Sequence, residues 1–256
     1  MSETPKQPKM RTSIATSDAT SITIRDQDLV DDLIGKVGFT EMIYRHLAGR
    51  YPAPGQARVL DACLVTLMEH GITPSSLIAR LMIDSTPDQL QVAVSSGLNA
   101  VGNVFVGTME GCGVILQAAS KSDDPAAYLD RAIAEHRDSR TPLPGFGHPF
   151  HKPDDPRTPR LLELVYEVGL SGRYCDLLRQ MNRQVDAAFG KHLTINATGA
   201  TAALLLEAGL QPDIFRGIAV ISRSAGLVTH IQEERRHPTA RRIWQLVEEH
   251  TEFVPE

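Results

Sequence analysis

From Asp26 onward, apolar residues recur every three or four positions almost without interruption, and runs of alternating apolar and polar residues are nearly missing. That periodicity restricts the chain to packed helices. The stretch DQDLVDDLIGKVGFTEMIYRHLAGRYP carries Leu29, Leu33, Phe39, Ile43 and Leu47 at intervals of three to six residues, with Gly49 and Pro52 as stop signals. It predicts one helix followed by a break. PGQARVLDACLVTLMEH places Val59, Leu60, Cys63, Leu64 and Leu67 on one face and predicts a second helix that ends at a histidine before Gly71. Thr73 and Thr86 each precede a proline suited to a first helical position. The segment Val92–Gly113 is apolar nearly all round and rich in small residues, which suits a helix in an interior or at a subunit contact. Amphipathic helices are also predicted in DPAAYLDRAIAEHRDS, PRLLELVYEVGLSG, RYCDLLRQMNRQVDAAFG and ATAALLLEAGL. The only strand candidates are TSITIR and HLTIN, so the expected class is all-α with a few edge strands at most.

One segment breaks the pattern. Residues 144–157, PGFGHPFHKPDDPR, crowd prolines, glycines, two histidines and paired charges into fourteen positions. Prolines forbid a regular helix there and stiffen the chain, which would hold His148 and Arg157 in fixed places. Gly145 and Gly147 allow a close backbone approach to a ligand, while Lys152 and Arg157 supply positive charge for carboxylate or phosphate. A solvated surface turn is the alternative reading of any one of these residues, but their density favours a preorganised site loop.

Composition narrows the choice of ligand. The 256 residues carry 26 basic and 31 acidic side chains, a net charge of −5, which argues against a general nucleic-acid binder. Any anion site must be local. Cys63, Cys112 and Cys175 form no CxxC pair, so neither a zinc ribbon nor a disulfide framework is indicated, and a reducing cytoplasm is the expected compartment. No apolar run reaches the roughly 20 residues needed to span a bilayer. Residues 1–20 read as a flexible polar tail without the apolar core of a signal peptide. His148 and His151 have metal-ligand chemistry, yet a loop carries them and no third ligand is evident in the sequence; no metal is expected.

The run GFGHPxxKxxDPR resembles the signature of the citrate synthase superfamily, in its short citryl-CoA lyase-like branch, the form also found as a module of ATP-citrate lyase. DLIGKVGFTEMIYRHLAGRYP, LVTLMEHGITPSSLIARL and ISRSAGLVTHIQEE are similar to further family segments in the same order, from about Met10 to Trp244. The resemblance implies a helical fold with a large lobe (21–111 and 201–256) and a smaller inserted lobe (112–200) that carries the loop. It implies a homodimer or higher homo-oligomer, and chemistry in which the carbon–carbon bond between a 2-hydroxy polycarboxylate and a coenzyme A thioester enolate is made or broken. Carried across by position, His70 and His148 match the histidines that contact the hydroxyl or carbonyl oxygen. Arg157 and Arg223 match the carboxylate-binding arginines, whose planar forks suit that task. Gly145, Phe146, Gly147, Lys152 and Asn196 match the coenzyme A-contacting region.

The chain departs from the family at two places. Where citrate synthases have a third histidine, it has Phe105, as the lyase branch does, flanked by Asn103, Val104 and Val106 in place of that turn's usual residues. The family's catalytic aspartate aligns with Thr198 of NATG, or with Ile195 in a shifted register, and neither is a carboxylate. A positioned acid or base contributes typically about 10²- to 10⁴-fold in rate. Another group is therefore expected to move the proton: Glu110 first, with His192 or a water held by Thr198 as weaker candidates. The expected activity is carbon–carbon lysis or the reverse condensation on a citryl-CoA-like thioester other than standard citryl-CoA. The alternative is a relative that binds a polycarboxylate or acyl-CoA without turnover.

Overall fold

The computed structural model describes residues 10–255. These fall into two compact units that divide between Pro52 and Ala53. In the first, β1 (Ala15–Ser17), β2 (Ile22–Ile24) and β3 (Gln27–Asp28) form an antiparallel sheet in that order, with Thr16 opposite Thr23 and Thr23 opposite Asp28. Part of the stretch read as a polar tail thus pairs as β1; residues 1–9 lie outside the described residues. The single helix expected after Asp26 is divided. Asp28 caps a π-helical turn at Leu29–Leu33, accepting from the amides of Val30 and Asp31. The chain then runs extended at Ile34 and re-enters a helix only at α1 (Phe39–Ala48), where the Glu41 carboxylate accepts from the Gly38 amide. Apolar spacing is similar on both sides of the break, so periodicity alone does not reveal it.

The second unit is helical: α2 (Pro54–Met68), α3 (Pro74–Ser85), α4 (Leu90–Asn99), α5 (Thr108–Lys121), α6 (Pro125–Asp138), α7 (Arg157–Glu167), α8 (Arg173–Phe189), α9 (Ala197–Glu207), α10 (Phe215–Arg236) and α11 (Ala240–Glu249). Pro74 stands at the start of α3, as its sequence predicts. Pro87 does not start α4. Thr86 instead closes α3, its amide and hydroxyl both donating to the Met82 carbonyl, and α4 begins at Leu90. The small-residue helix expected over 92–113 is also broken, by a turn in which the amides of Val106 and Gly107 both reach the Gly102 carbonyl.

Nearly every side of α9 is buried, from Gly199 through Leu206, against α2, α5, α7 and α8. Its sequence, Ala, Gly and Thr followed by three leucines, has no charged residue before Glu207, which is what a central helix needs. A second core joins α3, α4 and α10 through Ala79, Ile83, Ala93, Leu227 and Ile231. Alongside it, Gly226 brings the backbone of α10 against the end of α2. A Cβ at Gly226 would stand 2.1 Å from the Met68 carbonyl oxygen, so any side chain must push away the segment that carries Glu69 and His70. Gly226→Ala is expected to cost about 1–3 kcal/mol in stability. Chemical denaturation checks this, and an unchanged midpoint would contradict the close approach.

Candidate functional site

Two segments of the second unit meet at the loop that the sequence singles out. The Gly147 amide donates to the Thr194 carbonyl (2.8 Å), the Asn196 amide to the Gly145 carbonyl (3.0 Å), and Phe146 bridges Ile195 in antiparallel fashion. The HLTIN strand candidate therefore amounts to one bridge. Asn196 clamps this junction: Nδ2 donates to the Gly147 carbonyl, and Oδ1 caps α9 at the Gly199 amide while accepting from the Thr198 hydroxyl. The approach tolerates no side chain at Gly199, where a Cβ would lie 2.5 Å from the Gly145 carbonyl oxygen.

Asp155, wholly buried, fastens the far end of the loop. One oxygen accepts from the Arg157 amide (3.1 Å) and Nε (2.9 Å), the other from Arg157 Nη2 (2.7 Å) and the Ala197 amide (3.0 Å). Burial would raise this carboxyl's pKa, but the Arg157 and Ala197 bonds outweigh it and hold the group below the usual carboxylate range. The start of α7, the loop and the start of α9 are thus tied by one charge.

Within this frame His70, just past α2, meets His148 and His151 of the loop. His70 Nε2 lies 3.1 Å from His151 Nε2, the rings of His148 and His151 stack at 4.3 Å, and those of His70 and His148 stand 5.7 Å apart. His148 Nδ1 accepts from the amides of Phe150 (3.1 Å) and His151 (3.0 Å). A neutral ring held this way carries its proton on Nε2 and offers it as a donor. Burial, then the charge of Arg157, lowers the pKa of His70; burial, then His151, lowers that of His148. Both shifts favour the neutral ring.

Arg223, on α10, is only 14% exposed, and its Nη1 has no hydrogen-bond partner among the described residues. The Glu69 carboxylate is 3.8 Å away, and burial lowers the arginine's pKa against that carboxylate's pull. A buried guanidinium nitrogen left unpaired is costly unless something else comes to fill it. Glu69 itself is occupied: it accepts from the amides of His70 and Gly71, both at 2.8 Å, and sits 2.9 Å from His230 Nε2. Arg80 Nε in turn donates to His230 Nδ1, and Arg80 pairs with Glu234 at 3.0 Å. This buried chain joins α3 and α10 behind His70.

The structure therefore gathers His70, His148, Arg157, Arg223, Asn196 and the Gly145–Gly147 backbone, which the sequence names. It also adds two residues that the sequence reading does not name, Glu69 and Asp155, and brings in His151, which that reading weighs only as a metal ligand. Glu69 adjoins His70 in the chain and Asp155 belongs to the DPR run, so adjacency was the available signal. His151 was noticed, but its third imidazole partner, His70, lies on a distant segment. Other predicted residues have different surroundings. Glu110, the nominated proton donor, is committed to Arg216 of α10 at 2.5 Å. Phe105 is more than half exposed on the turn before α5, and Lys152 is exposed. Thr198 hydrogen-bonds Thr108 Oγ1 (2.8 Å) and donates to Asn196 Oδ1, giving a hydroxyl cluster with no carboxylate among these partners. His192 is held between Asp186 (2.7 Å) and Asp154 (3.0 Å), which raise its pKa. Burial pushes the Cys112 thiol up to about 12, so it is no nucleophile.

The helical architecture is that of a citrate synthase-like protein. Citryl-CoA lyase from Hydrogenobacter thermophilus superposes on it with a TM-score of 0.85 and 29% identity, over 96% of this chain and 95% of that one. ATP citrate lyase from Methanosaeta concilii, solved in complex with (3S)-citryl-CoA, matches with a TM-score of 0.79 and 17% identity, covering 98% of this chain and 42% of that one. The family described as "Citrate synthase, C-terminal domain" matches residues 8–245, and the chain belongs to the citrate synthase family. Citrate synthase from Acidithiobacillus ferridurans is 27% identical over 194 residues, covering 73% of this chain and 49% of that protein. For 2-methylcitrate synthase 2 of Corynebacterium glutamicum the identity is 27% over 188 residues, 71% of this chain and 46% of that protein. The chain spans about half the length of the curated relatives it matches. No helix among the described residues is long and apolar enough to cross a membrane.

Proposed function

We propose that the protein is a coenzyme A-dependent carbon–carbon lyase that cleaves a citryl-CoA-like 2-hydroxy-2-carboxyacyl thioester, or runs the reverse condensation. The observation that carries this reading is the buried Nη1 of Arg223, which has no hydrogen-bond partner among the described residues and whose charge acts on His70, the histidine that meets His148. Such a centre suits an anion with an oxygen next to it, which describes a 2-hydroxy carboxylate. Arg223 and Arg157 hold carboxylate. Neutral His70 takes the hydroxyl proton, and His148 keeps its own Nε2 proton while donating a hydrogen bond from it to that oxygen as the oxygen becomes a carbonyl. The carbon–carbon bond then breaks, the ketone or keto acid leaves, and the thioester enolate gains a proton. Thr198 and Thr108, with water between them and the enolate, are the groups this reading assigns to that last step. The Gly145–Gly147 backbone, Lys152 and Asn196 face the coenzyme A portion, and the working form is a homodimer or larger homo-oligomer.

Incubating the purified protein with citryl-CoA and following acetyl-CoA and oxaloacetate by mass spectrometry tests the reading. Equal amounts of both products support it. Bound but intact citryl-CoA favours a non-catalytic binder or a different acyl chain, for which the missing carboxylate at Thr198 is the physical reason.

The two lowered histidine pKa values fix a pH dependence. Catalysis needs both rings neutral, so kcat/KM is expected to fall on the acid side with a midpoint below the 6.5 of an ordinary histidine. An acid limb with its midpoint above 6.5 would contradict these roles.

A further inference from the structure

We propose that His70, His148 and His151 form a binding site for a divalent transition-metal ion, Zn²⁺ in particular, and that the loaded site excludes the acyl-CoA substrate. The second half rests on the functional reading above; the first does not. Each of the three side chains offers a ring nitrogen, and these nitrogens all lie within 4.8 Å of one another. Two bonds of about 2.0–2.1 Å at a tetrahedral angle separate their nitrogens by roughly 3.4 Å. The 3.1 Å between His70 Nε2 and His151 Nε2 is close to that span. The contact now needs a shared proton, a place that a cation can take.

His148 is the weakest of the three ligands. An imidazole bound through Nε2 carries its proton on Nδ1, where it would face the amides of Phe150 and His151. His70 and His151 therefore supply most of the affinity. The site is open, since His70 is exposed and the other two are half-buried, which leaves room for the ion to enter and for water to complete its shell. An all-imidazole set selects Zn²⁺, Cu²⁺ or Ni²⁺ over Mg²⁺ and Ca²⁺. The positive field of Arg157 and Arg223 strengthens that selection, because an ion without strong nitrogen bonds has nothing to offset the repulsion. Zinc on His70 and His148 removes the two nitrogens that the hydroxyl oxygen would use.

Calorimetric titration of Zn²⁺ into the full chain, stripped beforehand with a chelator, tests the metal site. One ion per chain is expected beyond what His151→Asn binds, with that variant on the order of 100-fold weaker at this site. His148→Asn is expected to lose less, and Mg²⁺ to give no binding. Circular dichroism checks that the variants are folded, and His70→Asn replaces His151→Asn if that one is not. Identical zinc isotherms for wild type and variant would overturn the site. Citryl-CoA is then titrated into zinc-loaded and zinc-free protein. At least tenfold weaker binding to the loaded form supports exclusion, and equal binding overturns it. Citryl-CoA that binds neither form counts against the functional reading while the zinc isotherms still decide the metal site.

Discussion

Asp155→Asn is expected to lower stability by about 3–5 kcal/mol, the cost of removing one partner from a buried ion pair. Both oxygens of Asp155 accept from N–H groups only: three from Arg157 and one from Ala197. An asparagine must turn its NH₂ toward one of these pairs, donor against donor, whichever way it flips. The loss should appear as a fall in Tm on the order of 10 °C. A shift under about 2 °C would show that the buried carboxylate is not what fastens the loop. The wild-type contribution also carries a pH signature. The folded carboxyl has a lowered pKa, so its stabilisation is present above the unfolded value near 3.8 and disappears as pH falls below it.

Arg223→Met should act in the opposite sense on stability. The guanidinium is buried, and its Nη1 has no hydrogen-bond partner among the described residues and only a 3.8 Å ion pair with Glu69, so an apolar side chain of similar length removes a desolvation cost, and the protein is expected to be as stable as wild type or more so. Activity is expected to fall about 10²- to 10³-fold in kcat/KM, the loss that follows when one partner of a buried charged contact is removed. Thermal unfolding and citryl-CoA cleavage on the same preparation read both effects. A variant that loses stability and activity together would mean that Arg223 holds the fold and not a ligand.

The sequence made much of this site legible. The proline- and glycine-rich loop announces itself by composition, because no helix can accommodate it. The meeting of His70, His148, Arg157 and Arg223 came from the resemblance, since these residues stand on the turn after α2, the loop, α7 and α10 and no spacing rule links them. Two helix breaks escaped, at 34–38 and at 100–107, because an amphipathic pattern continues in phase across a short turn when both halves bury the same kind of face. Glu110 illustrates a different limit of sequence reading. Its position beside the Phe105 turn suggested chemistry, but its partner, Arg216, is distant in sequence and only packing brings the two together. His151 meets the same obstacle: a pair of loop histidines has no third ligand in the sequence until the segment after α2 brings His70 to them.

The most direct measurement is a crystal structure of the protein with citrate and coenzyme A bound. The account predicts a citrate carboxylate within hydrogen-bond distance of Arg223 Nη1, with the citrate hydroxyl at the His70 and His148 nitrogens. Citrate lodged elsewhere, with Arg223 Nη1 still unpaired, would contradict it.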